Sequence, residues 1–392
     1  MRAFHDILLM TASAAMLWLM AACAGGSDTP PGPGPESSST NLVLDLRVGG
    51  APASRAATAA DRLPAGDWEL MHTLRIIIFA SDGHVEYNGR YDLSSPVVQH
   101  QITITVQNAE AKKIIFIANE DHFTVLDPLS GKSVPASDYF SGLYATVSAT
   151  PGNTFTGNGW TTLFNTVMIT ADNPVFASAQ LRDKTRIPVP ASAVYENVVI
   201  PKVPEYSRTF YLHRAAAKYT YRLTNESVDG AVIIDKARIT HVAARQYLFY
   251  HGTYADSDTR KDLAVYEPLS LSATQRPTAE YGIDHDVDFG KTVEISPIYL
   301  PEGSVISPDS YKTNLSLNGK YAPTADGADN HVIQTGADDV LAPGTFAPMT
   351  TLPRNTNVIV NGSFKRESQA ALNLSYTICP WYVEETDIPP YN

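Results

Sequence analysis

The feature of this sequence that most constrains its fold is a series of short apolar segments with two-residue periodicity, separated by turn-forming residues. The clearest segment is residues 41–48, in which apolar side chains occupy every second position: Leu42, Leu44, Leu46 and Val48. The positions between them include the charged Asp45 and Arg47. Successive side chains of a β-strand point to opposite faces, so this pattern predicts a strand with one buried face.

The same reasoning predicts further strands at residues 74–79, 101–106, 113–118, 219–223, 231–234, 293–300, 357–364 and 371–378. Turn-forming clusters such as Ser81-Asp82-Gly83 separate them. Helical periodicity is confined to two short candidates, residues 138–144 and 177–183. Short strands with many turns are typical of β-sandwiches and barrels, so we predict an all-β fold with few short helices.

A domain boundary is predicted near residues 201–204, where two prolines in four residues stiffen the chain and interrupt strand pairing. The boundary divides the structured part of the chain into an N-terminal β-sandwich domain, residues 41–204, and a C-terminal one, residues 205–392. Each has an ordinary size for a domain.

The first residues predict export. Residues 1–22 combine an early Arg2 with an apolar run that is short for a membrane span, which takes about 20 residues. Met20-Ala21-Ala22-Cys23 resembles a lipobox, so we predict lipidation of Cys23, with an ordinary signal peptide and an incidental cysteine as the alternative. Residues 23–40 are rich in Gly, Pro and Ser and are predicted to be a flexible tether.

Cysteine content and charge limit the remaining possibilities. Cys379 is the only other cysteine, so lipidation of Cys23 leaves no intramolecular disulfide. The formal net charge of −12 argues against nucleic acid and anionic lipid as partners.

Catalytic motifs are scarce, and we predict neither an enzyme nor a cofactor nor a metal site. The sequence contains no HExxH, GxSxG, P-loop or CxxC motif. Residues 284–288 (DHDVD) are a weak metal candidate, interpreted instead as a solvated loop or a polar strand face. Tyr139, Tyr144 and Trp160 leave open an alternative, a monomeric glycan-binding surface lipoprotein.

Six segments, in order along the chain, carry a family resemblance: TLRIIIF at 73–79, KIIFIANE at 113–120, FYLHRAAAK at 210–218, IYLPE at 298–302, RNT at 354–356 and PW at 380–381. Behind a lipobox, they resemble the fimbrillins, the FimA-type subunits of type V pili. The resemblance implies two tandem transthyretin-like, Greek-key β-sandwiches. It also implies an outer-membrane lipoprotein precursor that becomes a structural subunit of a surface fimbria.

The resemblance further implies assembly by donor-strand exchange, in which an Arg-specific surface protease removes the first strand and a strand of another pilus subunit replaces it. Leu42, Leu44, Leu46 and Val48 would plug the groove before cleavage, and cleavage is predicted between Arg55 and Ala56. The alternative is that residues 41–48 form a permanent strand of the sandwich.

The family's donor lies at the C-terminus, where the apolar candidates are Tyr382, Val383 and Ile388. This tail is more polar than the resemblance leads one to expect, and Pro389-Pro390 cannot donate ladder hydrogen bonds. We therefore favour a stalk subunit only narrowly over a tip or accessory subunit.

Overall fold

A computed structural model of the chain describes residues 39–49, 66–108, 111–127, 130–142, 167–177, 186–226, 231–249, 271–305, 311–317, 320–321, 331–332, 334–336, 346–348, 350–365 and 371–380. Within these residues the chain is almost entirely β-stranded, which confirms the predicted all-β class. The strands are β1 Ser39–Val48, β2 Met71–Phe79, β3 Val85–Val97, β4 Gln99–Gln107, β5 Ala111–Ala118, β6 Thr124–Leu126, β7 Ser133–Pro135, β8 Met168–Thr170, β9 Ala191–Val199, β10 Glu205–Arg214, β11 Ala217–Asn225, β12 Val232–Ile239, β13 Arg245–Tyr247, β14 Ala279–Val287, β15 Thr292–Leu300, β16 Gly303–Ser304, β17 Lys312–Leu317, β18 Lys320–Tyr321, β19 His331–Val332, β20 Gln334–Gly336, β21 Phe346–Pro348, β22 Thr351–Leu352, β23 Thr356–Lys365 and β24 Ala371–Pro380.

The described residues contain a single α-helix, α1 Ala136–Ser141, which overlaps the first predicted helix. Four short 3-10 turns accompany it: Asp67–Glu69, Glu120–His122, Pro174–Phe176 and Ala273–Gln275. The second predicted helix begins at residue 177 and otherwise lies outside the described residues. No helix in the described ranges is long and apolar enough to cross a membrane.

The first core is formed by one seven-stranded sheet of order β3-β2-β5-β9-β10-β1-β4. Its buried side chains include Leu44 on β1, Ile76 on β2, Phe116 on β5, Phe210 on β10 and Ile104 on β4. Because all of them come from this one sheet, the sheet must fold over so that its β10-β1-β4 part covers the rest. The edge strands β3 and β4 follow one another in sequence, and residues of the two come close in space.

The second core lies between two further sheets, of order β15-β11-β23-β24 and β14-β12-β17-β18, with β19 also pairing with β17. Tyr221 on β11 and Val360 on β23 contribute from one sheet. Ile234 on β12, Tyr281 on β14 and Leu315 on β17 contribute from the other. This arrangement of two sheets with a shared apolar interior is a β-sandwich.

A third core joins the two. The small sheet β13-β8-β6-β7 combines β8 from the first half of the chain with β13 from the second half. Its apolar cluster contains Ile77 and Ile115 from the second face of β2 and β5, Phe140 from α1, and Phe249 and Tyr299 from the second half.

The domain boundary near residues 201–204 stays a prediction. Strand β10, which follows it, pairs in parallel with β1 and antiparallel with β9, so the first sheet continues to Arg214. The chain moves to the second sandwich at Ala215 and Ala216, both fully buried, before β11 begins.

Candidate functional site

Strand β1 lies between β10 and β4 and is hydrogen-bonded to both along nearly its whole length. It runs parallel to β10, with Leu42 opposite Tyr206 and Leu46 opposite Phe210. It runs antiparallel to β4, with Leu44 opposite Ile102. A strand with two neighbours has no free edge, so β1 fills a slot that would otherwise expose the edges of both partners.

The inward face of β1 is dry. Its four alternating apolar side chains are between 0 and 3% exposed: Leu42, Leu44, Leu46 and Val48. All four belong to the first core. These are the residues predicted as the plug, and their burial makes the slot an apolar groove with β1 as its occupant. Their removal by proteolysis stays a prediction.

The outward face of β1 carries a polar connection centred on Asp45. The Thr209 hydroxyl on β10 donates to Asp45 Oδ2 at 3.1 Å, and the Gln99 amide on β4 donates to Asp45 Oδ1 at 2.7 Å. Arg47 Nη2 lies 3.0 Å from the same Oδ2. The Asp45 carboxylate therefore bridges both walls of the groove.

Both ends of β1 are held by hydrogen bonds to backbone carbonyls of β10 and of the segment before it. At the start, the Thr40 hydroxyl lies within hydrogen-bond distance of the carbonyls of Pro201 and Val203, at 3.0 and 2.7 Å, and the Asn41 amide donates to Pro204. At the end, the Gly49 amide donates to the Leu212 carbonyl at 3.0 Å. Gly49 has a φ of 140°, a conformation that favours glycine and turns the chain out of the strand.

The other predicted site residues lie outside the described residues. They are the lipidation residue Cys23, the cleavage pair Arg55 and Ala56, and the donor candidates Tyr382, Val383 and Ile388. The cleavage pair belongs to residues 50–65, which connect β1 to the turn that begins at Asp67.

On the far side of this connection the chain is anchored in a buried polar layer. The Glu69 carboxylate is fully buried, and its Oε2 lies 3.2 Å from Lys218 Nζ on β11. The Tyr299 hydroxyl on β15 donates a hydrogen bond to Glu69 Oε1 at 2.5 Å. The same hydroxyl accepts a hydrogen bond from the Trp68 indole, also at 2.5 Å. Arg214 Nε donates to the Glu69 carbonyl at 2.9 Å. The turn before β2 is thus tied to the second sandwich.

A second buried ion pair lies within the second half of the chain. Arg354 binds Glu302 through two parallel hydrogen bonds, Nε to Oε2 at 2.5 Å and Nη2 to Oε1 at 2.6 Å. Arg354 also donates to the carbonyls of Leu248 and Tyr247, next to β13 and within it. Such bidentate contact fixes both side chains geometrically.

Burial shifts the pKa values in this layer. Desolvation lowers the pKa of His213 on β10 to about 4, and the neighbouring Arg354 and Arg214 lower it further. Desolvation also lowers the pKa of Arg214 to about 10, and the negative charge of Glu69 acts in the opposite direction. For the Glu302 carboxyl, desolvation raises the pKa, and the positive charge of Arg354 acts to lower it. His213 is therefore held neutral among cations.

The remaining sequence candidates do not assemble into a site in the part of the chain that the structure describes. Asp284, His285 and Asp286 lie on β14, with His285 opposite Ile234 of β12. No group of three or more His, Cys, Asp or Glu side chains is placed there to hold a metal ion. Tyr139 is partly buried against Phe140 of the third core, at 5.1 Å between ring centroids. Tyr144 and Trp160 lie outside the described residues.

Sequence reasoning did not identify the buried ions, because each is a single charged residue without a motif of its own. A signal was nevertheless present. Arg214, Tyr299 and Arg354 all lie in segments that carried the family resemblance, and so do Lys218 and Glu302. The structure brings residues of these separated segments together in two places. Arg214, Lys218 and Tyr299 contact Glu69, and Arg354 pairs with Glu302.

A solved tip fimbrial protein has a similar fold, whereas no protein-family model and no curated protein matches the sequence. The tip fimbrial protein Mfa3 from Porphyromonas gingivalis, solved with a C-terminal truncation, is 14% identical with a TM-score of 0.50; the match covers 88% of this chain and 100% of that one. A fimbrilin (FimA) from the same organism is 10% identical with a TM-score of 0.44, covering 88% and 99%. A fimbrial assembly protein from Parabacteroides distasonis is 12% identical with a TM-score of 0.38, covering 86% and 99%. This chain shares the fold of Mfa3, and the resemblance predicted from the sequence is confirmed at the level of fold.

Proposed function

We propose that this protein is a structural subunit of a surface fimbria, exported as a lipoprotein and assembled when β1 is exchanged for a strand of another subunit. The observation that carries the proposal is the position of β1: its apolar face is buried in the first core, and both of its edges are paired. The fold shared with a tip fimbrial protein supports a structural role at the cell surface.

The energetics of β1 suit a plug that proteolysis releases. Burial of four Leu and Val side chains is worth on the order of 10 kcal/mol before ordering costs. While residues 50–65 connect β1 to β2, the strand competes for the groove with the high effective concentration of an intramolecular contact. Cleavage in this connection abolishes that advantage, and another strand of similar apolarity then competes for the groove.

The proposed order of events follows from the chain connectivity. Cys23, with its lipid, precedes β1, and Arg55 follows it. One cut after Arg55 therefore severs the covalent link of the body of the protein to the lipid anchor and to the plug together, and the subunit leaves the outer membrane when β1 leaves the groove. The anchored turn at Trp68 and Glu69 keeps the remainder of the connection attached to the body of the protein.

The test is in vitro assembly of the exported chain carrying Cys23→Ala, treated with an Arg-specific protease. We expect loss of residues 41–48 by mass spectrometry together with growing oligomers by size-exclusion chromatography with light scattering. The Arg55→Ala variant is the matched control and should stay monomeric. Long homopolymers would support a stalk subunit, and addition only to the ends of existing fibres would support a tip subunit.

Two results would contradict the proposal. Oligomers in which every subunit retains residues 41–48 would mean that assembly needs no strand exchange. A cleaved chain that loses β1 and stays monomeric would mean that the emptied groove is not an acceptor.

A further inference from the structure

We infer that the outer edge of β4 is an interaction surface for a second copy of this chain, with the two β4 strands pairing antiparallel. The contact goes beyond the proposed strand exchange, because it uses the side of β4 that faces away from β1 and leaves β1 in its groove. It joins two subunits side by side through backbone hydrogen bonds.

The backbone groups of β1 show which side of β4 is already paired. The Asn41 and Gly49 amides donate to carbonyls on the β10 side, whereas the Val48 amide donates to Val98, on the β4 side. These directions alternate along a strand, so the even-numbered residues of β1 bond to β4. Their register partners on β4 are also even-numbered: His100, Ile102 and Ile104.

The odd-numbered residues of β4 therefore direct their backbone groups away from β1. Gln107 shows this directly, because its amide donates to Glu86 Oε1 on β3 at 2.6 Å. Within the described ranges no strand pairs with this side of β4, which ends the seven-stranded sheet. The stretch open to another strand is residues 99–105, and the outward backbone groups belong to Gln99, Gln101, Thr103 and Thr105.

β4 lacks the features that protect edge strands from pairing with other chains, which are charged side chains, prolines and bulges. The opposite edge strand, β3, has all of them: Arg90 and Asp92, Pro96, and register shifts at two places in its pairing with β2. β4 contains no Asp, Glu, Lys, Arg or Pro, and its pairing with β1 runs without a register shift. Of the two edges of this sheet, only that of β4 is suited to an incoming strand.

A second copy of the same edge is a partner that fits these residues. The chain carries a formal net charge of −12, so two copies approach most easily where neither presents a carboxylate. Antiparallel pairing centred on Ile102 places Gln99 opposite Thr105 and Gln101 opposite Thr103. These four side chains are exposed, and amide and hydroxyl groups opposite one another pair without like-charge repulsion.

This register uses every open position of the edge. It excludes Gln107, whose amide is already bound by Glu86. On the inner face it places the two Ile102 side chains opposite one another, and the 7% of Ile102 that is exposed in one chain is covered by the other. Apolar contact on one face therefore accompanies the backbone hydrogen bonds.

The contact between two separate chains is weak, because so narrow a strip buries less area than a stable interface. At the dilute concentrations that suit the assembly assay, the uncleaved chain stays monomeric. Where subunits are linked in a fibre, the same edge recurs in every subunit, and each engaged pair raises the effective concentration of the next. The edge then provides lateral association of fibres. This consequence rests on the proposed function, whereas the pairing of two chains does not.

The experiment uses the full-length chain carrying Cys23→Ala and Arg55→Ala, in which neither lipid nor cleavage causes association. Sedimentation equilibrium should show a reversible monomer–dimer equilibrium at concentrations up to about 1 mM, a range that detects weak contacts. Thr103→Pro should weaken dimerisation roughly tenfold or more, since it removes an edge amide from both copies. The fold should be retained, because proline is tolerated where the N–H faces away from the neighbouring strand.

Two further variants at the same position separate edge pairing from a defect in folding. Thr103→Ala keeps the amide and is the matched control, which should dimerise as the parent chain does. Thr103→Lys changes only an exposed side chain and should also weaken dimerisation, because lysine on an edge strand opposes pairing.

Cysteine cross-linking tests the register in the same background with Cys379→Ala. Opposite residues of a hydrogen-bonded antiparallel pair have Cα atoms about 5.5 Å apart, which lies within the span of a disulfide. A mixture of Gln101→Cys chains with Thr103→Cys chains should therefore form a disulfide-linked dimer on oxidation. Each variant alone should cross-link much less.

A chain that is monomeric over the whole concentration range would overturn the inference. A dimer that both Thr103→Pro and Thr103→Lys leave unchanged would overturn it too, because the contact would then lie elsewhere. Neither result bears on strand exchange, since Arg55→Ala prevents the cut that exchange requires. The two proposals therefore fail separately.

Discussion

The Nζ atom of Lys218 lies 3.2 Å from Oε2 of Glu69, and this contact ties the first strand of the second sandwich to the turn that precedes β2. The Glu69 side chain is fully buried, and that of Lys218 is 5% exposed. Desolvation lowers the pKa of Lys218, and Glu69 opposes that shift. The Glu69 carboxylate therefore offsets part of the cost of burying this cation.

We predict that Glu69→Ala lowers the free energy of unfolding by about 3–5 kcal/mol, because it removes the buried carboxylate that lies 3.2 Å from the Lys218 ammonium. Chemical denaturation measures the change. Glu280→Ala is the matched control: its carboxylate lies 3.9 Å from Arg238 Nε but is 49% exposed, and its loss should cost less than about 1 kcal/mol. Equal costs for the two variants would show that the buried pair has no special role in stability.

The sequence predicted the strands whose apolar residues dominate or alternate, such as β1, β4 and β5. It did not predict β3 or β9. β3 is an edge strand whose residues are mostly half-buried or exposed, and Gly89 and Pro96 interrupt its pattern. Such a strand has little local signal, because one side of its ladder and much of its surface face solvent.

The pairing of β1 was also beyond the reach of local patterns. In the structure β1 pairs with β10, and Leu46 lies opposite Phe210. These two residues are far apart in the sequence. Periodicity identifies a buried face but says nothing about which distant strand lies beside it. The apolar half of the groove was therefore visible in the sequence, whereas the polar half, Asp45 with Thr209 and Gln99, was not.

We predict that stability falls between pH 6.5 and pH 4 because of His213, whose pKa is lowered to about 4 by burial and by the nearby arginines. In the unfolded chain the imidazole takes up a proton below about pH 6.5. In the folded chain it does so only near pH 4. The unfolded state therefore binds more protons in this window, and stability is lost as the pH falls, by up to about 3 kcal/mol.

The measurement is the free energy of unfolding at several pH values for the unmodified chain and for His213→Gln. The buried carboxyls of Glu120 and Glu302, whose pKa values are raised by desolvation, are common to both proteins. The difference between the two profiles therefore isolates His213. Parallel profiles between pH 4 and 6.5 would contradict the assignment.

A further prediction concerns the membrane anchor. If Cys23 carries the lipid, Cys23→Ala should abolish palmitate labelling and leave the protein unprocessed or periplasmic, because no thiol remains for lipid attachment beside the signal sequence. Cys379→Ala is the control, since it removes the other cysteine of the chain. Undiminished labelling of the Cys23 variant would refute the lipoprotein assignment.

The last prediction is that the activating protease cuts between Arg55 and Ala56. Three arginines lie near the end of β1: Arg47, Arg55 and Arg62. Arg47 is inside the strand, paired with Tyr211 on one side and Gln99 on the other, and a hydrogen-bonded strand cannot enter a protease cleft. Arg62 is followed by Leu63-Pro64, and a proline so close to the scissile bond hinders binding.

Arg55 has the opposite surroundings, with small residues on both sides in a segment rich in Ala, Gly and Pro. N-terminal sequencing of the surface form should give Ala56-Ala57-Thr58, and Arg55→Ala should accumulate the full-length lipidated form, whereas Arg62→Ala should be processed normally. A new N-terminus at Leu63 would move the cut but preserve the mechanism, because β1 would still be severed from β2. A surface polymer that retains residues 41–48 would make β1 a permanent strand, and its burial would then serve stability alone.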